Sequence, residues 1–455
     1  MRYRTNGGKR LLLTLAAGAV AASVTVAVAL ASGSGNQASA TIKIGVLSTC
    51  KGPFAVFWNE TQAGARMPFI QRGAKLAKAG KSDSDLAGFK IGGHPVKLVT
   101  GCSDASPDVA VAEARRLVER EKVNILVGPL SGDEGIAVSR YAKKQTQVTF
   151  INGTSAAQDT TLKSPAPNFF RFTTDGAQWM AGLGDYAYNT LKWRNIVTIA
   201  DDYSFPYTQV AGFVAEFCAL GGKVEKRIWP PLGTTDYSSY VTQIPTSGVD
   251  GFLMAVNGSG TVAFAKAYEG LKGNLAQKMI GGGVAIDPTA IKALGDRLEG
   301  VATAGPTAAD SKSAAYAAYK KAFLQAFPKL KGLEASLFAE GYAVETEALL
   351  RALTAVKGDL SGGQAAFRKA LAKTTFTGPN GSNKLDKNRN GIAPNYVSQV
   401  KGGVLQTIYT IPNVDQTFGG FFSASTPSPG RDSPQCVKRT PPPWVGHAIK
   451  GPPTK

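Results

Sequence analysis

Ile42-Lys43-Ile44-Gly45-Val46-Leu47 is a short apolar run rich in β-branched residues, and it breaks at Ser48–Pro53 into a polar turn followed by a helical pattern near 60–78. The same unit then recurs. Runs at 96–100, 123–127 and 148–151 are strand candidates, and helical patterns at 106–121 and 134–145 lie between them. Ser106-Pro107-Asp108 supplies an N-cap with proline in the first turn. Regular alternation of this kind predicts a mostly parallel sheet covered by helices on both faces.

A second series follows, with strands expected at 195–200, 223–229, 251–256 and 278–281 and helices near 207–219, 236–244, 261–272 and 288–294. Gly221-Gly222 stops the first of those helices. Two series in one chain of 455 residues give the expected fold class: α/β, with two doubly wound parallel-sheet lobes of similar build. Three more helical patterns, 311–326, 334–356 and 361–372, need a sheet to cover, so the chain is expected to cross back to the first lobe. Beyond 411 the prolines Pro412, Pro427, Pro429, Pro434, Pro441-Pro442-Pro443, Pro452 and Pro453 predict an irregular, extended tail over 412–455.

Residues 1–40 are read as a secretory signal. Arg2, Arg4, Lys9 and Arg10 precede an apolar run from Leu11 to about Ala31, and Ala38-Ser39-Ala40 is a small-residue cleavage site. Retention of the run as a membrane anchor is the alternative reading. Leu47-Ser48-Thr49-Cys50 looks like a lipidation site but sits within the first strand, far past the apolar run, and is set aside.

Composition narrows the function. Hydrophobic residues make up 43% and charged residues 18%, as in ordinary globular chains. The net charge of +19 comes from Lys and Arg spread along amphipathic segments with no run longer than a pair, so a nucleic-acid partner is not expected. His94 and His447 are the only histidines, which leaves little material for a His/Cys metal cluster or a Ser/His/Asp triad. Gly258-Ser259-Gly260-Thr261-Val262-Ala263 fits G-x-G-x-x-A, but Gln277 and Lys278 stand where an acidic ribose partner belongs, and a tight strand-to-helix turn explains it better. Asp386-Lys387-Asn388-Arg389-Asn390-Gly391 opens like a calcium loop, yet Val397 occupies the position of the bidentate Glu. No cofactor and no metal is expected.

Polar turns, all but 201–207 bearing a glycine, end many of the expected strands, at 48–53, 129–135, 152–156, 201–207 and 257–261. The carboxyl edge of an open α/β sheet is where ligands bind, and two facing lobes bring two such edges to one cleft. Phe57 and Trp58 follow the first turn and Tyr203, Phe205 and Tyr207 cluster at another, which favours ligand lining over plain loops; Asn257 sits at a third.

On these residues the chain resembles the extracytoplasmic solute-binding proteins of ABC importers, of the branched-chain amino acid type. The resemblance covers about 42–411. It rests on Ile42–Leu47 leading to Gly52-Pro53-Phe54, on Val127-Gly128-Pro129-Leu130-Ser131, on Phe150-Ile151-Asn152-Gly153-Thr154-Ser155, on Phe170-Arg171-Phe172-Thr173 and on Asp201-Asp202-Tyr203-Ser204-Phe205. It implies a type I periplasmic binding fold with three crossovers, near 173, 303–306 and 377–381, and hence lobes of 41–173 plus 304–378 and 174–303 plus 379–411. It implies Ser131, Gly132, Asn152, Thr154 and Ser155 around a ligand carboxylate, and Phe57 and Phe205 on the ligand's body. Where amino-acid-binding members place a Glu for the ammonium, this chain has Gly283; Asp133 and Asp202 are the nearest substitutes.

The resemblance further implies an exported, non-catalytic, monomeric receptor that takes a small molecule to an ABC permease. A sensing subunit and an exported enzyme using Asp133, Glu134 or Asp202 are the alternatives. Two disulfides are expected, Cys50–Cys102 just past the ends of neighbouring strands and Cys218–Cys436 tying the tail to a helix.

Overall fold

A computed structural model describes residues 40–454, so the signal reading of 1–40 lies outside the described residues apart from Ala40. The first series forms one sheet. Its main strands are β1 (Ile42–Thr49), β2 (His94–Ser103), β3 (Ile125–Val127), β4 (Thr149–Ile151) and β5 (Phe169–Phe170), parallel in the spatial order β2-β1-β3-β4-β5, with the short strand Lys90–Ile91 antiparallel at the edge beside β2. The second contains β6 (Asn195–Ala200), β7 (Lys223–Ile228), β8 (Gly251–Ala255), β9 (Met279–Gly282) and β10 (Ala302–Gly305), parallel in the order β7-β6-β8-β9-β10. The long hairpin β11 (Gly391–Lys401) and β12 (Val404–Val414) then extends that sheet antiparallel from β10.

Both sheets reverse direction at one place, and that place fixes the site. In the first sheet the chain leaves β1 for β2 on one side and later adds β3 on the other; in the second it leaves β6 for β7 and later adds β8. Loops leaving the carboxyl ends of such a strand pair diverge to opposite faces and leave a crevice between them. Helices α1 (Trp58–Gln71), α2 (Pro107–Arg115) and α3 (Gly132–Ala142) follow β1, β2 and β3; α4 (Ser204–Phe217), α5 (Ser259–Lys272) and α6 (Pro288–Leu294) follow β6, β8 and β9.

After β10 the chain crosses back. Of α7 (Ala314–Ala326), α8 (Leu337–Ala355) and α9 (Ala365–Ala372), the last two bury Val344, Leu349, Leu353, Phe367 and Leu371 against Ile44, Val46 and Ile125 of the first sheet. The expected covering of the first sheet is met.

Two stretches differ from the sequence reading. The helix expected to reach 78 stops at Gln71, and Lys75–Leu76 pairs with Leu86–Ala87 instead. The strand Phe376–Gly378 pairs with Gly381–Leu385, which joins β11, so this hairpin belongs to the second sheet. Alternation had no purchase on either: Gly73 takes a φ of +86°, which ends the helix, and the hairpin strands lie half exposed.

The tail is ordered. Phe418, Phe422 and Trp444 are buried with Ala211 and Ala215 of α4, and Ile449–Lys450 adds a strand to β12. Both expected disulfides are present, each with Cα atoms 5.3 Å apart: Cys50–Cys102 and Cys218–Cys436. Cys50 is thus engaged within the fold. Among the described residues no helix is long and apolar enough to cross a membrane.

Candidate functional site

The two crevices face each other and touch. A Cβ added to Gly258, at the end of β8, would lie 2.4 Å from the carbonyl oxygen of Pro53 after β1. One added to Gly132 at the start of α3 would lie 2.6 Å from Ser204 Oγ and 3.0 Å from the Phe205 backbone nitrogen. Either side chain would hold the loops apart, so glycine is required for this approach. Across the same seam the Ser204 N–H donates to Asp133 Oδ1 at 3.2 Å.

Between these loops lies a small closed hollow. Ser131, Gly132 and Thr154 from the first lobe and Phe205 from the second line it, so four of the predicted residues meet. Phe54, Leu130, Trp179, Tyr203, Val284 and Phe338 complete the wall. The enclosed volume is about 10 Å³, room for one water, so a larger guest requires the lobes to part or the rings to turn.

The polar groups around the hollow are unusual. Thr154 Oγ1, Ser204 Oγ and Trp179 Nε1 are buried and have no hydrogen-bond partner among the described residues, and Ser131 Oγ, which caps the Glu134 backbone N–H at the start of α3, has no acceptor there for its own O–H. A buried polar group left unpaired costs about 1–3 kcal/mol, so four beside one hollow mark a place where a guest completes the bonding. Beneath them, Glu134 accepts the N–H of Ser131 and of Ala105, each at 3.1 Å, and lies 3.4 Å from the Thr49 hydroxyl. Burial pushes Glu134 up to about 7, against the pull of those bonds.

The remaining predicted residues stand elsewhere. Phe57 stacks on Phe338 with centroids 3.8 Å apart and faces a neighbouring hollow bounded by Val284 and Asp287. Trp58 is half-buried at the start of α1, outside the lining. Asn152 braces its own loop, donating to Ser155 O at 2.9 Å and Thr173 Oγ1 at 3.0 Å. Ser155 is buried against Gly135. Asn257 is turned to Asp201, whose Oδ2 accepts its backbone N–H at 2.8 Å; burial pushes Asp201 up to about 8 while Asn257 opposes the shift.

The expected ammonium substitutes fare unequally. Asp133 spans the seam, but Asp202 turns outward to Tyr207 and to Arg431 of the tail; these bonds outweigh burial and hold it below the usual carboxylate range. A Cβ on Gly283 would meet Ala304 O at 2.6 Å, and the next residue, Val284, faces the hollow. That wall is apolar.

Sequence reasoning gave no ligand role to Trp179 or Phe338. Trp179 follows the crossover near 173 and Phe338 opens α8 after the chain has crossed back, so both reach the cleft only through the tertiary path.

A periplasmic binding protein family model matches residues 41–404. This chain belongs to that family. It is 28% identical over 267 residues to the Leu/Ile/Val-binding protein homolog 6 of Brucella melitensis, a match covering 58% of this chain and 63% of that one, just under two thirds of the relative. In structure it is similar to a solute-binding protein of an ABC transporter from R. palustris in complex with benzoate, with a TM-score of 0.72 and 23% identity over 82% of this chain and 97% of that one. A second R. palustris protein of this kind, in complex with 4-hydroxybenzoate, gives a TM-score of 0.72 and 22% identity over 83% and 98%. The family and the two-lobed fold are therefore shared.

Proposed function

We propose that this chain is an exported receptor that captures a carboxylate or amide with a hydrophobic or aromatic body and delivers it to an ABC permease without altering it. The observation that carries the reading is the pair of hydroxyls, Ser131 capping α3 and Thr154 in the loop after β4, whose O–H groups have no acceptor among the described residues, beside a wall of aromatic rings. Short hydroxyls at a helix N-terminus seat an anionic oxygen without an Arg. Rings at the other end favour an apolar body, each adding about 0.5–1.5 kcal/mol beyond area burial.

Val284 and Gly283 leave the facing wall without a carboxylate, and an unpaired buried ammonium costs several kcal/mol, so an α-amino group is not required of the guest. The names of the R. palustris neighbours agree with an aromatic acid; those of the Brucella relatives point to leucine, isoleucine and valine. Asp202 is taken by Arg431, and Glu134 by two backbone N–H groups, which speaks against a catalytic carboxylate. The reading includes cleavage near Ala40 and lobes of 41–173 plus 304–378 and 174–303 plus 379–411 that close by rotation about the three crossovers.

Calorimetric titration of the exported chain with benzoate, leucine, valine and the 2-oxo acids of the last two tests this reading. Binding of the acids lacking an ammonium is expected, and at 100 times Kd it stabilises the fold by about 2.7 kcal/mol. Selective binding of leucine or valine alone overturns it.

A further inference from the structure

Glu340 lies in the first turn of α8, 1% exposed, and neither carboxyl oxygen has a hydrogen-bond partner among the described residues. It lines a second enclosed hollow of about 10 Å³ with Thr173, Thr307, Asn380 and Trp179, where the chain passes between the lobes. Trp179 lines this hollow and the cleft hollow alike, and its indole N–H is itself unpartnered. The two spaces are neighbours: a Cβ on Gly341 would lie 2.6 Å from Thr154 Cγ2, on the cleft side, and 3.3 Å from Thr173 Cγ2. The indole lies between the seat of the carboxylate and a carboxyl that nothing among the described residues satisfies.

We propose that Glu340 and Trp179 form a polar subsite at the inner end of the cleft that takes a hydroxyl carried on the guest's body, making a hydroxy acid the preferred ligand. The inference rests on the carboxylate-with-apolar-body reading above and names the substituent. Its chemistry follows from the inventory of donors and acceptors. Indole N–H donates and never accepts, whereas a carboxyl group accepts through its carbonyl oxygen in either protonation state. A hydroxyl does both at once, accepting from Trp179 and donating to Glu340. An ammonium satisfies the carboxyl and leaves the indole N–H unpaired; an unsubstituted ring leaves both. Burial pushes Glu340 well above the usual carboxylate range, which disfavours the ionised form that a cationic guest would pair with. A site built to bond a hydroxyl rejects the analogue lacking it more strongly than an apolar pocket rejects an added one.

The test is calorimetric titration of the full exported chain, Glu340→Leu and Trp179→Phe with benzoate, 3-hydroxybenzoate, 4-hydroxybenzoate and 4-aminomethylbenzoate. For the wild type the better hydroxy acid is expected to bind at least about tenfold tighter than benzoate, with the aminomethyl acid weaker than either hydroxy acid. In both variants the ratio of hydroxy acid to benzoate affinity should fall to near one. Thermal unfolding checks each variant, and Trp179→Phe alone decides if Glu340→Leu does not fold. Equal binding of benzoate and hydroxy acids by the wild type, or a preference that survives in the variants, overturns the subsite while leaving the functional reading in place. A preference for the aminomethyl acid overturns it in favour of a cation. Failure of every acid to bind overturns both.

Discussion

Two regions of this molecule bury polar side chains equally deeply and treat them in opposite ways. Where the chain passes between the lobes, Arg171 is wholly buried and fully engaged: it donates to Asn390 Oδ1 at 2.7 Å, to Ala157 O at 2.8 Å and to Thr161 Oγ1 at 2.5 Å. Nearby, Glu345 accepts the backbone N–H groups of Phe172 and Thr173 at 2.9 and 2.8 Å. Around the cleft, the side chains of Thr154, Trp179 and Glu340 are nearly as buried and bond to no group among the described residues, and the Ser131 O–H has no acceptor there. The first network closes on itself and holds the crossovers in one geometry. The second is left open at a cost in stability, which makes sense only if its partners come and go.

Arg171→Met breaks the closed network and carries the largest expected effect. It strips Asn390, Thr161 and Ala157 of their donor and leaves Asp175, 3.9 Å from the guanidinium, as an uncompensated buried acid. Removing one partner of such a cluster costs about 3–5 kcal/mol. Urea unfolding should show that loss; a change below about 1 kcal/mol would mean the network is decoration and the contrast with the cleft is empty.

A middle-sized effect lies on the seam between the lobes. Glu60 of α1 and Asp287, which caps α6, face each other there; Thr289 Oγ1 donates to Glu60 at 2.7 Å, and Ser336 lies 3.4 Å from Asp287. Burial first, then mutual repulsion, pushes Glu60 up to about 8, and burial pushes Asp287 up to about 7; the hydroxyls oppose both shifts, and Lys292 opposes that of Glu60. With the lobes closed these acids hold protons that they release when parted into water. Closure is therefore favoured at acid pH and loses ground as pH rises from the ordinary carboxylate range near 4.5 towards 8, by at most about tenfold per unit for each proton released. Affinity for the guest should fall along that range, and Glu60→Gln should flatten the profile. A flat wild-type profile, or one that rises, rejects the linkage. Glu345 has an equally raised carboxyl but keeps its donors, so Glu345→Gln should leave the slope in place.

The sequence carried the sheets because alternation of apolar runs with amphipathic stretches is a period that burial imposes directly: the run at 195–200 is β6 to the residue. Strand ends marked the loops that carry Ser131, Gly132, Thr154 and Phe205, and the family resemblance singled out those residues within them. Glu340 was hidden by its helix. α8 begins Leu337-Phe338-Ala339-Glu340-Gly341-Tyr342-Ala343-Val344-Glu345, apolar on every side, which marks a buried helix, and two glutamates inside one are a signal of their own. Trp179 was hidden by topology, since only the crossover path brings Gln178-Trp179 beneath Phe205. Asn257 was misleading in the other direction: a polar residue at a strand end, spent on holding Asp201.

The smallest expected effect discriminates best. Thr154 and Thr173 put their methyl groups against the same Gly341 and are 3% and 5% exposed, so Thr→Val is one chemical change in nearly one place. At Thr173 the lost hydroxyl is an acceptor for Asn152 Nδ2 at 3.0 Å and lies 2.8 Å from Glu345 Oε1. Its removal leaves both short of a partner and should cost about 1–3 kcal/mol. At Thr154 the lost hydroxyl bonds to nothing among the described residues, and valine keeps the shape, so unfolding should shift by no more than about 0.5 kcal/mol in either direction. Affinity for the guest should behave in the reverse sense: Thr154→Val loses about tenfold, because the anionic oxygen then meets a methyl group. Denaturant unfolding and calorimetry of the two variants side by side check this. Equal destabilisation would show that Thr154 is already satisfied in the folded protein, and the cleft would then be another closed network.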